Sequence, residues 1–241
     1  MKAVILAAGK GTRLGELTKN IPKPMVQVAG KPVVEHVMRA IQTAGIDDFI
    51  LVTKYLSEKI EEYFGDGSQF GMRVQYVKQG GRYGTGAALF EARELVGNSP
   101  LMMTFADVVV STQNYKGAFD VFLDWRGAGV ITLNEVPDPC TGADVKLDAE
   151  GRISRIIEKP PPGTAQTYLN SSGLFVFHPI VFDYLERLEP SARGEYELPD
   201  AMNAMASDGL MIYPYYLQGF WRDVGTIADI AAAEELMKSD D

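Results

Sequence analysis

The sequence predicts an α/β fold: a doubly wound, mostly parallel sheet with helices on both faces and a smaller β lobe appended to it. Three observations carry that prediction. Short apolar runs alternate with helically spaced apolar residues through the first hundred positions, glycines and prolines punctuate the alternation, and the pattern becomes strand-rich and irregular after about residue 110.

Ala3-Val4-Ile5-Leu6 is a buried strand, ended by Ala7-Ala8-Gly9. Pro32 opens a helix, where its fixed φ is favourable. Val34, Val37, Met38 and Ile41 keep helical spacing, and Gly45 closes the helix. A second strand covers 49–52, and Leu56, Ile60, Tyr63 and Phe64 mark a second helix that ends at Gly65. A third strand lies around Val74 and Tyr76. Ala88, Ala92, Leu95 and Val96 predict a third helix, and 101–105 a fourth strand. Right-handed crossovers make such a series doubly wound, and ligands gather at the carboxyl ends of its strands. The places to look are after Leu6, after Val77 and after Phe105.

The second half predicts a helix over 114–125, a strand over 130–136, and a hairpin of 144–147 with 153–158 around Asp148-Ala149-Glu150-Gly151. A strand over 174–177 and a helix through Phe182 and Leu185 follow. Tyr213, Tyr215 and Tyr216, around Pro214, form a late strand. Pro160-Pro161-Pro162-Gly163 is read as a mobile loop, not a domain boundary.

The chain has 241 residues, 46% hydrophobic and 23% charged, enough for a sizeable core. A net charge of -9 disfavours a nucleic-acid surface, although a local basic pocket for a small anion is compatible with it. The single cysteine, Cys140, forbids an intrachain disulfide, and a reducing, cytoplasmic compartment is expected. No apolar run approaches a membrane span, and the first one is too short for a secretory leader. His36 and His178 lack metal-ligand spacing and are expected to be structural.

The chemistry begins in the loop after the first strand, Ala7-Ala8-Gly9-Lys10-Gly11-Thr12-Arg13-Leu14. Small residues let backbone N–H groups approach a phosphate, and Arg13 adds a fork suited to phosphate oxygens. A plain tight turn explains the glycines equally well. The loop lacks the Gly-Lys-Ser/Thr of a P-loop and the third glycine of a dinucleotide fingerprint. Downstream, Pro22-Lys23-Pro24-Met25 presents Lys23 from a segment that two prolines stiffen. Asp107 directly follows the fourth strand, a position where a lone carboxylate suits Mg²⁺.

These runs together resemble the signature of the sugar-phosphate nucleotidyltransferases, a family that includes glucose-1-phosphate thymidylyltransferases and uridylyltransferases and the N-acetylglucosamine-1-phosphate uridylyltransferase domain. The resemblance continues through Gln79, Asp107, Glu158-Lys159-Pro160, Asn170 and Trp221-Arg222-Asp223-Val224-Gly225-Thr226, nearly the whole chain. It implies a Rossmann-like single domain over 1–241, with a nucleotide-binding half of about 1–110 and a sugar-binding half of about 111–241.

It also implies roles. Arg13, Lys23 and Lys159 become catalytic cations, with Arg13 on the β- and γ-phosphates and Lys23 on the α-phosphate. Leu6, Ala8, Gly9, Gly11 and Thr12 surround the nucleotide, and Gln79, Gly84 and Thr85 hold a pyrimidine. A glutamine amide matches the imide edge of uracil or thymine, while Gly84-Thr85 could equally cap the third helix. Asp107 and Asp223 become Mg²⁺ ligands, and Asp107 also borders the sugar. Gly142, Glu158, Lys159 and Asn170 meet the sugar and its phosphate. Arg82, Tyr83 and Ala106 depart from the family pattern.

The implied reaction joins an NTP, with UTP or dTTP favoured, to a sugar 1-phosphate and releases pyrophosphate. Neither nucleic acid nor membrane is expected as a partner. The chain ends soon after its last helix, so the β-helix of bifunctional acetyltransferase relatives is not expected. A non-catalytic nucleotide-sugar sensor is the main rival, and keeping Arg13, Lys23, Asp107 and Asp223 argues against it. A glycosyltransferase would carry Asp-x-Asp, whereas three valines follow Asp107. A nicotinamide oxidoreductase is disfavoured by the incomplete glycine pattern.

Overall fold

The computed structural model describes residues 1–240. Its first strand, β1 (Lys2–Ala7), sends Ala3, Ile5 and Ala7 into one apolar cluster and Val4 and Leu6 into another. This is the pattern of a strand covered on both faces. A short hairpin, β2 (Gln27–Val28) and β3 (Lys31–Pro32), leads into α1 (Val33–Thr43), with Pro32 at its N-cap. β4 (Asp48–Thr53), α2 (Ser57–Phe64) and β5 (Arg73–Lys78) follow.

The third predicted helix is two helices, α3 (Thr85–Phe90) and α4 (Arg93–Val96). Ala92, at φ -81 and ψ -6, interrupts the ladder, and the Ala92 N–H bonds back only to Leu89 O. The Glu91 carboxylate turns away to accept the Gly80 N–H at 2.9 Å. β6 (Leu101–Phe105) keeps its predicted bounds, and the three-residue β7 (Val108–Val110) comes straight after it.

α5 (Gln113–Trp125) and β8 (Gly129–Glu135) match the expected helix and strand to within a residue. β9 (Ala143–Leu147) and β10 (Ile153–Glu158) form the expected hairpin. β11 (Leu169–Phe177) is five residues longer at its start than the apolar run 174–177 predicts. Its added residues are polar but satisfied: the Ser172 hydroxyl donates to Thr132 O at 2.9 Å, and the Thr104 hydroxyl donates to Gly173 O at 2.9 Å. α6 (Val181–Glu186), α7 (Leu198–Ser207), β12 (Ile212–Tyr216), β13 (Trp221–Asp223) and α8 (Ile227–Asp240) complete the chain.

The main sheet has seven strands in the order β12-β8-β11-β6-β1-β4-β5. β11 runs antiparallel to both neighbours, and every other pairing in this sheet is parallel. One apolar cluster joins the sheet to α1, α2 and α5, the other to α3, α6 and α7. The second half therefore extends the same sheet by three strands. The β9–β10 hairpin is the appended part, clasped to α7 by Asn203, whose side chain accepts from Ile156 N and donates to Ile156 O, both at 2.8 Å.

Register fixes the rim that matters. Leu6 lies beside Val52 and Phe105, and Thr53 beside Lys78, so the loops after β1, β5 and β6 emerge together. His36 contacts Val28 O at 2.8 Å, and His178 Nδ1 accepts the Ile180 N–H at 3.2 Å, both local structural roles.

Candidate functional site

Two adjoining cavities on this rim are lined by the predicted site residues. The larger, about 420 Å³, is walled by the β1 loop, the β5–α3 loop and the residues after β6. Leu6, Ala8, Gly9, Gly11, Thr12 and Arg13 supply its first side. Gln79, Gly84 and Thr85 face them, and Lys23 and Asp107 lie at its floor. The smaller, about 210 Å³, is lined by Gly142, Glu158, Ser172, Trp221 and Asp223 among others. Thr85 and Phe105 line both, so the cavities adjoin.

The β1 loop owes its shape to Gly11. Its φ of +72 is left-handed, and a Cβ there would stand 2.8 Å from Lys23 Cβ. Only glycine allows both the turn and that approach. The chain then makes 3-10 turns over Thr12–Thr18 and over Lys23–Met25, with Pro22 and Pro24 flanking the lysine as the sequence indicated.

Lys23 is buried, with only 9% of its surface exposed. Its ammonium forms an ion pair with the Asp107 carboxylate and lies 3.3 Å from Asp223 Oδ1. Arg13 reaches Asp223 Oδ2 at 3.7 Å and lies over Gly225, where a Cβ would come within 2.9 Å of the guanidinium. Four charges from distant parts of the chain thus meet where the two cavities join.

A two-stranded ribbon holds the carboxylates in place. β13 pairs antiparallel with β7, setting Asp223 opposite Val108, and the Val224 N–H donates to Asp107 O at 2.8 Å. Burial pushes the Asp107 carboxyl above its ordinary range, Lys23 opposes that shift, and the neighbouring Asp223 adds to it. Two carboxylates brought this close, supplying only oxygen donors, fit a small divalent cation such as Mg²⁺.

Gln79 is buried, and its amide donates to Arg82 O at 3.2 Å and Gly84 O at 3.5 Å. Gly84, at φ +129, passes so close to Tyr196 that a Cβ would come within 2.4 Å of its carbonyl oxygen. Tyr196 N donates to Tyr83 O, and Gly86 N to Tyr196 O. The segment before α7 is thereby stitched to the β5–α3 loop. Thr85 accepts the Leu198 N–H at 3.0 Å, capping α7 as well as opening α3.

The remaining predicted residues divide. Burial raises the pKa of Glu158 above its ordinary value, with Lys159 opposing the shift and Glu197 reinforcing it. Lys159 is exposed at φ +43, beside the smaller cavity but outside its lining, and its N–H donates to Gly142 O at 2.7 Å. Asn170 stands behind the wall: it accepts the Ala143 N–H at 3.0 Å and donates to Asn134 Oδ1 and Ser171 O. Its oxygen would lie 2.2 Å from a Cβ on Gly142, so Gly142 is glycine because Asn170 is there.

Sequence reasoning missed Glu195 and the walls that Pro199 and Phe175 supply. The Arg193-Gly194-Glu195-Tyr196-Glu197-Leu198-Pro199 run carried one usable signal, a proline at the start of a helix. Among the described residues no helix is long and apolar enough to cross a membrane, and no cluster of three or more His, Cys, Asp or Glu could hold a metal.

Known proteins resemble this chain along most of its length. The nucleotidyl transferase family model matches residues 2–240. The low-salt glycan biosynthesis nucleotidyltransferase of Haloferax volcanii is 36% identical over 247 residues, covering 100% of this chain and 67% of that protein. The UTP--glucose-1-phosphate uridylyltransferase of Staphylococcus haemolyticus is 33% identical, with 93% and 87% covered. The chain spans about half (53%) of the bifunctional protein GlmU of Methanococcus maripaludis, which it matches at 33% identity. A crystal structure from Bacillus anthracis, described as a glucose-1-phosphate thymidylyltransferase, superposes with a TM-score of 0.88 at 27% identity, covering 98% of this chain and 94% of that one. With a family model spanning almost every residue, and relatives matched along most of their length, the chain belongs to the nucleotidyl transferase family.

Proposed function

We propose that the chain transfers a nucleotidyl group from a pyrimidine nucleoside triphosphate, UTP or dTTP, to a sugar 1-phosphate. The observation that carries this reading is the meeting of Lys23, Arg13, Asp107 and Asp223 where the larger and smaller cavities adjoin. A nucleotide in the first cavity and a sugar in the second would bring their phosphates together there.

In the proposed reaction a phosphate oxygen of the sugar 1-phosphate attacks the α-phosphorus, the bond from that phosphorus to the β-bridging oxygen breaks, and pyrophosphate leaves. The nucleophile is already an anion, so no strong base is needed. The work is neutralising negative charge that accumulates on non-bridging and leaving oxygens. Lys23 serves the α-phosphate, Arg13 the leaving phosphates, and exposed Lys159 the incoming sugar phosphate. Asp107 and Asp223 would hold Mg²⁺, which would supply further charge neutralisation. Gln79 would read the base edge, and Glu158 would accept from sugar hydroxyls while Asn170 steadies the wall behind Gly142.

The pyrimidine assignment is supported by the buried Gln79 amide, and by relatives that use UTP or make a thymidylyl product by name. A pyrophosphate-release assay with Mg²⁺, run as a matrix of nucleoside triphosphates against sugar 1-phosphates, tests the reading. A signal confined to UTP or dTTP rows is expected. Nucleotide binding without release in any row would favour the sensor.

A further inference from the structure

β13 is three residues long, and Asp223 is the last of them. Past Asp223 the ribbon supplies one more main-chain bond, from Val224 N–H to Asp107 O at 2.8 Å, before the chain turns into α8. An isolated two-stranded pairing is only marginally stable by itself. The Asp223 side chain is also 41% exposed, so packing does little to fix it.

Asp229, in the first turn of α8, supplies what the ribbon lacks. Its Oδ2 accepts the Thr226 N–H at 2.8 Å, the Thr226 hydroxyl at 2.7 Å and the Gly225 N–H at 3.2 Å. Its Oδ1 lies 3.5 Å from the Arg222 guanidinium. The Thr226 hydroxyl in turn accepts the Asp229 N–H at 3.3 Å. Burial would raise the pKa of Asp229, but the bonds from Thr226 and Gly225 and the charge on Arg222 outweigh it and hold the carboxyl below its ordinary range. It therefore accepts all these bonds as a carboxylate.

The reciprocal bonds between Thr226 and Asp229 form a capping box and serve to start α8. The bonds from Gly225 and Arg222 lie outside such a box. They fall on either side of Asp223, so one carboxylate grips the chain just before Asp223 and again just after it. The grip reaches the charge cluster, because Arg13 lies over Gly225, and Arg13 and Lys23 both contact Asp223.

We propose that Asp229 is a positioning residue, which holds Asp223 where it can share a divalent cation with Asp107. The proposal rests on the metal and transferase readings above. Mg²⁺ demands near-ideal octahedral geometry, so a carboxylate free to drift binds it less well. Groups that orient metal ligands are typically worth about 10–100-fold in metal affinity.

Mn²⁺ binding, read from the loss of the free-ion electron paramagnetic resonance signal, tests this beside the Mg²⁺ dependence of pyrophosphate release. Asp223→Asn marks the part of the Mn²⁺ signal that belongs to this site. Asp229→Ala should weaken Mn²⁺ binding and raise the half-saturating Mg²⁺ concentration about tenfold, with kcat at saturating Mg²⁺ within about twofold of the parent. Asp229→Asn keeps one oxygen for Gly225 and Thr226 and should recover most of the loss. Thr226→Val breaks the capping box but leaves Gly225 and Arg222 on Asp229, so it should lower Tm and leave both metal constants unchanged. Parental metal constants in Asp229→Ala, or the same shift in Thr226→Val, would overturn the positioning role and leave the transferase reading standing. No Mn²⁺ signal sensitive to Asp223→Asn would overturn the metal site and the positioning role together. The expected metal shifts without pyrophosphate release from any substrate pair would uphold the positioning role and overturn the transferase reading.

Discussion

Gly11→Ala is the perturbation whose outcome is most tightly set by the geometry. The new methyl would sit on a residue at φ +72, a conformation that costs an L-residue roughly 1–2 kcal/mol. It would also stand 2.8 Å from Lys23 Cβ and 3.1 Å from Thr18 Cγ2. Lys23 cannot step aside freely, because its ammonium is held by Asp107 and Asp223. Forcing extra volume against such a neighbour typically costs about 1–3 kcal/mol. The sum, about 2–5 kcal/mol, corresponds to a fall in Tm of about 4–20 °C for a chain of this size. Urea unfolding followed by circular dichroism measures it, with Gly9→Ala as the matched control. Gly9 has nothing within 4 Å of its would-be Cβ and is not among the positive-φ residues. Its substitution should move stability by less than about 0.5 kcal/mol, yet weaken nucleotide binding if phosphate oxygens sit against that backbone. Equal stability losses for the two variants, or a Gly11→Ala protein as stable and active as the parent, would refute the reasoning.

Other consequences are open to measurement. Lys23→Met should lower kcat by about a hundredfold or more while the protein still folds, read by steady-state kinetics and circular dichroism. Tyr63 donates to Glu35 at 2.6 Å, and that bond to a carboxylate, with burial, pushes its pKa up to about 12. Its folded-state pKa lies above the unfolded value near 10, so the stability it contributes is complete below pH 10 and fades as pH rises toward 12. Tyr63→Phe should remove that alkaline dependence, measured by urea unfolding across pH 9–12, and cost about 1 kcal/mol at neutral pH. Glu158 is raised by burial, so the acid limb of kcat/KM for the sugar 1-phosphate should lie above pH 4.5, and Glu158→Gln should remove that limb. Thr85→Val deletes the acceptor for Leu198 N–H and should destabilise the start of α7 by about 1 kcal/mol, read by thermal unfolding.

The parts of the fold legible in sequence were those where burial and punctuation coincide. β1, β4 and β6 each carry three or more consecutive apolar residues, and Pro32 and Gly45 bracket α1. The first half of β11 was hidden because Asn170, Ser171 and Ser172 look like a loop, and only partners such as Thr132 and Trp221 allow them inside. β7 and β13 are too short for a periodic signal. The separate cationic residues were readable as phosphate binders, but the contact of Lys23 with both carboxylates depends on tertiary pairing. Asn170 shows the converse: the family resemblance implies contact with a sugar, and only the structure reveals that its side chain also makes three hydrogen bonds that brace the wall behind Gly142.

The β7–β13 ribbon has a consequence for the order in which the molecule is made. Asp107 emerges from synthesis with the parallel core, but its partner Asp223 is 116 positions later, and Lys23 is 200 positions before Asp223. Synthesis proceeds from the N-terminus, and early segments can collapse while later ones are still unmade. A nascent chain holding β1 through β12 therefore has the glycine loop and all seven strands of the main sheet, but one carboxylate instead of two. The charge cluster closes only when the last strand is laid against β7, so on the proposed function the metal site and the reactivity would arrive together, late in folding.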